Sequence, residues 1–475
     1  MNDELAELAK YPVVFWIALA VWLFLVGEAI MRWREAWTKP GLVIYGTIAA
    51  WYLGDLLYGG IDHFMGILPM SILVLALWQV ILFLLAYRWL VWWLTPKFIQ
   101  GLPRNTGLVK IGVHELRFFF LVCFILWLGL FLCGAALADW NFVGLIWPPA
   151  AEEPVGIFAH AGVGSGADFL IATAGYLYIL VSSSFGVLFV LNKGLLRYCA
   201  LVLIVLSWSN IWFGPFRNTM LALFLPGVLT YWLFGRSRWQ LKALVTMGLF
   251  LFVHFWFAGV EEYRGMEDVP LSARMNFVQT SSIDMHHDGL DMLEELCWMD
   301  SMVEAGLYHP NWGGRYFAEV ANIVPRTFWP GKPMPGIDYA IARGFGGNTD
   351  SAAGVYATVA TGMIGQGVAN FGRFFGVVAA AFLMACWTGL LARLWIQRDR
   401  IPRLFLFIVG CGLTFNMGRD ITLLVLWPFC FGVMGVLFWE RYFPYRPPVP
   451  AAPSPVLKKR RQAPAPKLRA TWNRG

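Results

Sequence analysis

Apolar residues come in long unbroken runs along this chain, without the alternation of a barrel strand or the one-sided stripe of a soluble helix. Each run is near the roughly 20 residues that an α-helix needs to cross hydrocarbon. Backbone groups in lipid must be satisfied within the segment, so helices are the expected form. The runs predict spans near 12–31, 41–58, 69–94, 116–138, 168–191, 197–213, 218–234, 241–258, 373–395, 402–417 and 421–439. The stretch 352–370 is weakly apolar and rich in small residues, and reads as re-entrant or interfacial rather than as a twelfth crossing.

Charge then orders these spans. Lys and Arg gather in every second connection: Arg32, Arg34 and Lys39; Lys97, Arg104 and Lys110; Lys193 and Arg197; Arg236, Arg238 and Lys242; Arg398, Arg400 and Arg403; and Arg441, Arg446 and the 458–461 cluster. The other connections hold most of the acids, including Glu4, Glu7, Asp139, Glu152 and Glu153. Basic loops stay on the cytoplasmic side. The expected protein is therefore an all-α polytopic membrane protein with about eleven spans, its N-terminus outside and its C-terminus inside. It divides into an N-terminal bundle (1–259), a large outer segment (260–372), C-terminal spans (373–440) and a basic, Pro/Ala-rich tail (441–475) expected to be disordered.

Composition agrees, with 59% hydrophobic and only 14% charged residues against the roughly one quarter charged of a soluble domain. The net charge of +7 belongs to the cytoplasmic loops, and no nucleic-acid module, P-loop or GxGxxG is present. Cys297 is alone outside the apolar runs, so the outer segment has no internal disulfide, and no Cys/His spacing suggests zinc. The first run has no small-residue cleavage site and reads as a retained helix.

Several cations break the charge rule. Arg217 opens the seventh span, Arg419 sits in the short connection before the last one, and Arg264, Arg274, Arg315, Arg326, Lys332, Arg343 and Arg373 lie in or beside the outer segment. Pairing is one explanation, since Asp420 follows Arg419 and Glu261 and Glu262 precede Arg264. A bulky anion at the membrane rim is the other, because guanidinium grips phosphate oxygens bidentately and keeps its proton. Trp298, Trp312 and Trp329 are placed to stack on sugar rings or to pack the segment. A helix expected over 282–306 puts Asp284, His287, Asp288 and Asp291 on one face, as a general base, a cation site or a solvated surface.

The run Val324-Pro-Arg-Thr-Phe-Trp-Pro-Gly-Lys-Pro333 resembles the Pro-Arg…Trp-Pro-x-Lys-Pro signature of bacterial O-antigen (Wzy-type) polymerases. Phe216-Arg-Asn-Thr219 and Met417-Gly-Arg-Asp420 resemble two further arginine sites of that family. Arg343 and Gly354 have the spacing of an Arg and Gly pair that some members of that family share. The resemblance implies a fold like that of C-type (GT-C) glycosyltransferases and an inner-membrane enzyme that polymerises undecaprenyl-pyrophosphate-linked repeat units without a cofactor or metal. It further implies Arg217, Arg326 and Arg419 as pyrophosphate ligands, helped by Arg264, Lys332 and Arg343. The general base is expected to be His287, with Asp284, Asp288 and Glu262 as rivals. A chain-length regulator is a candidate partner. An O-antigen ligase and a lipid-linked sugar flippase are the competing functions, the second drawing on Glu28 and Asp55 within spans.

Overall fold

A computed structural model describes residues 10–102, 112–137, 139–142, 146, 166–212, 217–262, 291–321, 324, 328–333, 336–344 and 359–443. Among them every regular element is helical. The helices are α1 (Val13–Met31), α2 (Thr38–Ile48), which runs through a π-helical turn (Ala49–Leu53) into α3 (Gly54–Ile67), α4 (Met70–Ile99), α5 (Val113–Leu137), α6 (Gly166–Leu191), α7 (Leu195–Trp212), α8 (Arg217–Phe234) and α9 (Trp239–Glu262). Four short helices follow: α10 (Met292–Glu304), α11 (Gly314–Ala321), α12 (Ile337–Ala342) and α13 (Gly362–Phe371). The last are α14 (Phe375–Ile396), α15 (Ile401–Met417) and α16 (Leu423–Tyr442).

A helix thus covers each of the eleven apolar runs. Five are long and apolar enough to cross a membrane: Val13–Met31, Met70–Ile99, Val113–Leu137, Thr173–Leu191 and Phe375–Ile396. The bent pair Thr38–Leu57 and Gly60–Ile67 makes a sixth if taken as one broken span, turning by 81°. Gly60, at φ +74°, supplies the kink. Leu195–Trp208, Thr219–Phe234, Trp239–Val253 and Ile401–Met417 are apolar but shorter. Pro12 and Pro69 precede α1 and α4, where a missing N–H costs the helix nothing. On α5, Leu121, Ile125 and Leu126 stay exposed, a surface that lipid solvates.

The core is built on α4, which packs against α14 and α1, with Tyr87 and Thr388 sharing a buried 2.7 Å hydrogen bond. A second seam joins α8 to α6 and α15. There Gly186 and Gly227 bring two backbones together, since a Cβ on Gly186 would lie 3.2 Å from the Cα of Gly227. Residues 437–475 form a separate unit, described over 437–443, where Phe438 packs on Tyr442 and Trp439 on Phe443.

Over residues 260–372 the helix expected at 282–306 is described from Asp291 onward. That helix begins at Met292, and Asp291 precedes it with non-helical backbone (φ −92°, ψ 51°), so the acidic face does not continue through Asp291 as one helix. The stretch read as re-entrant holds α13, ten residues long and about 15 Å, half the hydrocarbon thickness. It folds back on α14 so closely that a Cβ on Gly367 would lie 2.2 Å from the Gly376 carbonyl oxygen, and the reverse holds equally.

Candidate functional site

The short helices and the α15–α16 turn share one buried polar network. Its centre is Arg315, second residue of α11. The sequence places it there through Asn370, whose Oδ1 accepts the backbone N–H groups of Arg315 and Tyr316 at 3.1 and 3.2 Å. Those are orphan donors of the first helical turn, so Asn370, at the end of α13, caps α11 from across the fold. Gly313 (φ +92°) and Trp312 (φ +54°) turn the chain just before it. Positive φ is uncommon for a residue as large as Trp, and it leaves the Trp312 indole 82% exposed.

Arg315 is 3% exposed. Its Nη2 donates to Asp420 Oδ2 at 3.3 Å, and its guanidinium lies 5.8 Å from the Tyr339 ring centre. Among the described residues Nε and Nη1 make no hydrogen bond of good geometry, and the Tyr308 hydroxyl is the neighbouring oxygen. Two unpartnered donors on a buried cation are costly, and natural structures rarely leave them so without a ligand or water. Burial works against the charge, but Asp420, Asp338, Tyr308 and Tyr339 more than offset it and raise the guanidinium pKa. Burial pushes Asp420 up to about 6, while Arg315 and Arg419 pull it back down. Arg315 and Arg419 therefore flank one carboxylate.

The network continues outward. Tyr308 donates to Asp338 at 2.6 Å, and the Tyr339 hydroxyl donates to Glu295. Arg343 pairs with Glu295 (Nη2 to Oε1, 2.8 Å) and lies 4.3 Å over Trp298. Trp298 and His63 meet the two oxygens of Glu294 at 3.1 and 3.2 Å. Asp55, expected from sequence to lie within a span, accepts the Leu293 and Glu294 N–H groups at 3.0 Å each and caps α10. Arg373 holds the other end of α10 through Asp300, with Nε 3.3 Å from Oδ1, and through Glu304 at 3.0 Å. Among the described residues no three His, Cys, Asp or Glu side chains are placed to hold one metal ion.

Of the residues expected from sequence, Arg419 falls inside this network. Arg343 stands at its edge, engaged by Glu295, and Lys332 is buried with Nζ donating to the Val324 carbonyl at 2.9 Å. Arg217 opens α8 and Glu262 closes α9, with side chains outside those described. Arg264, Asp284, His287, Asp288 and Arg326 lie outside the described residues. Sequence reasoning counted Arg315 among the outer cations but gave it no role. The available signal was Asn311 to Arg315, where an amide and two glycines lead into a helix whose second residue is a cation. Around the network Trp312, Phe317, Phe328 and Trp329 expose their rings, and Phe317 tilts against Trp329 at 6.1 Å. No family model, curated protein or solved structure matches the chain.

Proposed function

We propose that this protein is a bacterial inner-membrane glycosyltransferase that polymerises undecaprenyl-pyrophosphate-linked repeat units at the periplasmic face. All eleven helices cross, the N-terminus is periplasmic and the C-terminus cytoplasmic, and the fold belongs with the C-type glycosyltransferases. One observation supports the reading: Arg315 is buried beside Arg419 and Asp420, and its Nε and Nη1 have no hydrogen-bond partner among the described residues. A phosphate oxygen satisfies donors of that geometry.

In this reading the acceptor sugar hydroxyl attacks the anomeric carbon of the donor glycan. The new glycosidic bond forms as the bond to pyrophosphate breaks, and undecaprenyl pyrophosphate leaves with the electron pair. Fixed cations aimed at the leaving group stabilise its developing charge. Arg315 and Arg419 fill that role, with Arg217, Arg326 and Arg264 as further ligands and Lys332 and Arg343 as helpers. His287 takes the hydroxyl proton, or one of Asp284, Asp288 and Glu262 does so. The exposed rings of Trp312 and Trp329 suit stacking on sugars.

The test is the lipid-linked glycan profile of cells lacking the gene, read by gel and mass spectrometry. Single repeat units should accumulate on carrier or lipid A core, and Arg315→Lys or Arg326→Lys should reproduce that profile at normal protein level. Long chains stranded on the carrier would identify a ligase instead, and an unchanged profile would remove glycan assembly altogether.

A further inference from the structure

Far from the arginine network along the helices, α1, α4 and α14 end and α2 begins around a single cavity of about 920 Å³. Its wall carries Arg32, Arg34, Lys39, Arg88 and Arg398. Three carboxylates stand against these five cations: Glu35 in the wall, Glu28 behind Arg88 and Asp399 beside Arg398. Glu28 takes Arg88 Nε at 2.6 Å, and it also meets Arg32 at 3.2 Å.

Indole rings hold the cations in place. Lys39 lies 4.6 Å over Trp33 and 5.3 Å over Trp395, Arg88 4.8 Å over Trp37, and Arg398 4.6 Å over Trp395. Part of this charge answers the helix ends, because Lys39 and Arg398 donate to the carbonyls of Trp33 and Trp395. Capping leaves two groups unexplained. Arg34 makes no hydrogen bond or ion pair among the described residues. Thr95 lines the cavity 4% exposed, and its hydroxyl has no partner among the described residues. Beside the cavity Trp92 and Trp33 are 64% and 48% exposed, aromatic surface of the kind that sits at a lipid headgroup level.

We infer that this cavity binds the phosphate of an anionic amphiphile, with Arg34 and Thr95 as its direct donors and the acyl chains leaving past Trp92. Excess positive charge, a buried free hydroxyl and an aromatic rim at one helix-end cavity fit a phosphate that arrives from the bilayer. A volume near 920 Å³ takes a headgroup and the first carbons of its chains.

The test is native mass spectrometry of the full chain in detergent, titrated with dioleoylphosphatidylglycerol and, separately, with dioleoylglycerol, which has the same chains and no phosphate. The phosphate lipid should bind at least tenfold more tightly, and the double variant Arg34→Gln/Thr95→Val should lose about tenfold, the equivalent of one charge-assisted hydrogen bond. Arg34→Gln alone, at an exposed position, carries the same comparison if Thr95→Val disturbs the helix end. Competition by soluble glycerol phosphate would locate recognition in the headgroup alone, and no competition would add the chains to it. Equal binding of the two lipids, or a double variant that binds like the parent chain, overturns the inference.

Discussion

Arg315 and Asp420 form a pair whose side chains are 2% and 8% exposed, so each is the other's main compensation. Replacing Arg315 with Met leaves the Asp420 carboxylate buried beside Arg419 alone, a loss of about 3–5 kcal/mol for breaking such a pair. Adding Asp420→Asn removes the leftover charge and should return most of that stability. Arg315→Lys keeps a charge near Asp420 but gives up the planar fork and the two idle N–H groups. If those groups meet a phosphate that gains charge as it leaves, losing one such donor costs about 2.7–4 kcal/mol in the transition state, or about 10²–10³ in rate. The assays are thermal inactivation in detergent and polymer length in a deletion strain. Arg315→Met should be unstable. Arg315→Met/Asp420→Asn should be stable and inactive, and Arg315→Lys stable and at least a hundredfold slower. Normal polymer from Arg315→Lys at normal protein level would refute the phosphate role, and an unstable double variant would refute the pairing energetics.

Burial raises Asp300 from 3.8 to about 6, against the pull of Gln79 and Arg373, so the folded chain binds more protons than the unfolded one between those values. Its contribution to stability is full below that window and lost as pH rises through about 6, and Asp300→Asn should flatten this part of the unfolding-midpoint profile and stabilise the protein at pH 7.5. Gly367→Ala must push a methyl to within 2.2 Å of the Gly376 carbonyl oxygen, and should cost about 1–3 kcal/mol or more where Gly27→Ala, with open space around it, costs nothing measurable by the same melt. Asp55→Ala removes the cap of α10 and should destabilise by about 1–2 kcal/mol, while Asp55→Asn retains an acceptor and should melt within a few degrees of the parent; equal loss from both would return Asp55 to a role for its charge.

The apolar helices were legible because the bilayer imposes the rule locally: a run that is to cross has to be long, apolar and helical on its own, whatever it packs against, and five helices, or six with the bent pair, meet that length and composition. Charge pairing was legible only where sequence neighbours share it, as with Arg419 and Asp420. The partner of Arg343, Glu295, is 48 residues away, a contact that no local spacing announces. Asp55 looked like a transport acid because the helix end it caps is 238 residues distant. Arg315 gained its character from Asp420, 105 residues on, and no local spacing encodes that. Of the acidic face expected over 284–291, Asp291 has non-helical backbone just before α10, and Asp284, His287 and Asp288 lie outside the described residues.

What positions the arginine network is the π-helical turn in the bent second helix. An extra residue in that turn swings Trp51 and Tyr52 away from the regular helical face. Trp51 Nε1 then donates to the Phe415 carbonyl at 2.8 Å, near the end of α15, and the Tyr52 hydroxyl accepts the Ile364 N–H at 3.0 Å, in the first turn of α13. Both contacts demand bare backbone opposite. A Cβ on Gly418 would sit 2.4 Å from Trp51 Cδ1, and one on Gly362 would sit 2.4 Å from the Tyr52 hydroxyl. The same turn therefore seats the Arg419–Asp420 connection and the start of α13, and α13 carries Asn370, which caps the helix of Arg315. Gln366 closes the circuit, giving and taking hydrogen bonds with the backbone of Ile421 at 3.3 and 3.1 Å. Arg315 and Asp420 are thus located relative to one another by backbone contacts that do not involve their own charges. Such an arrangement keeps a buried cation's donors open, because the scaffold and not the ion pair fixes the geometry.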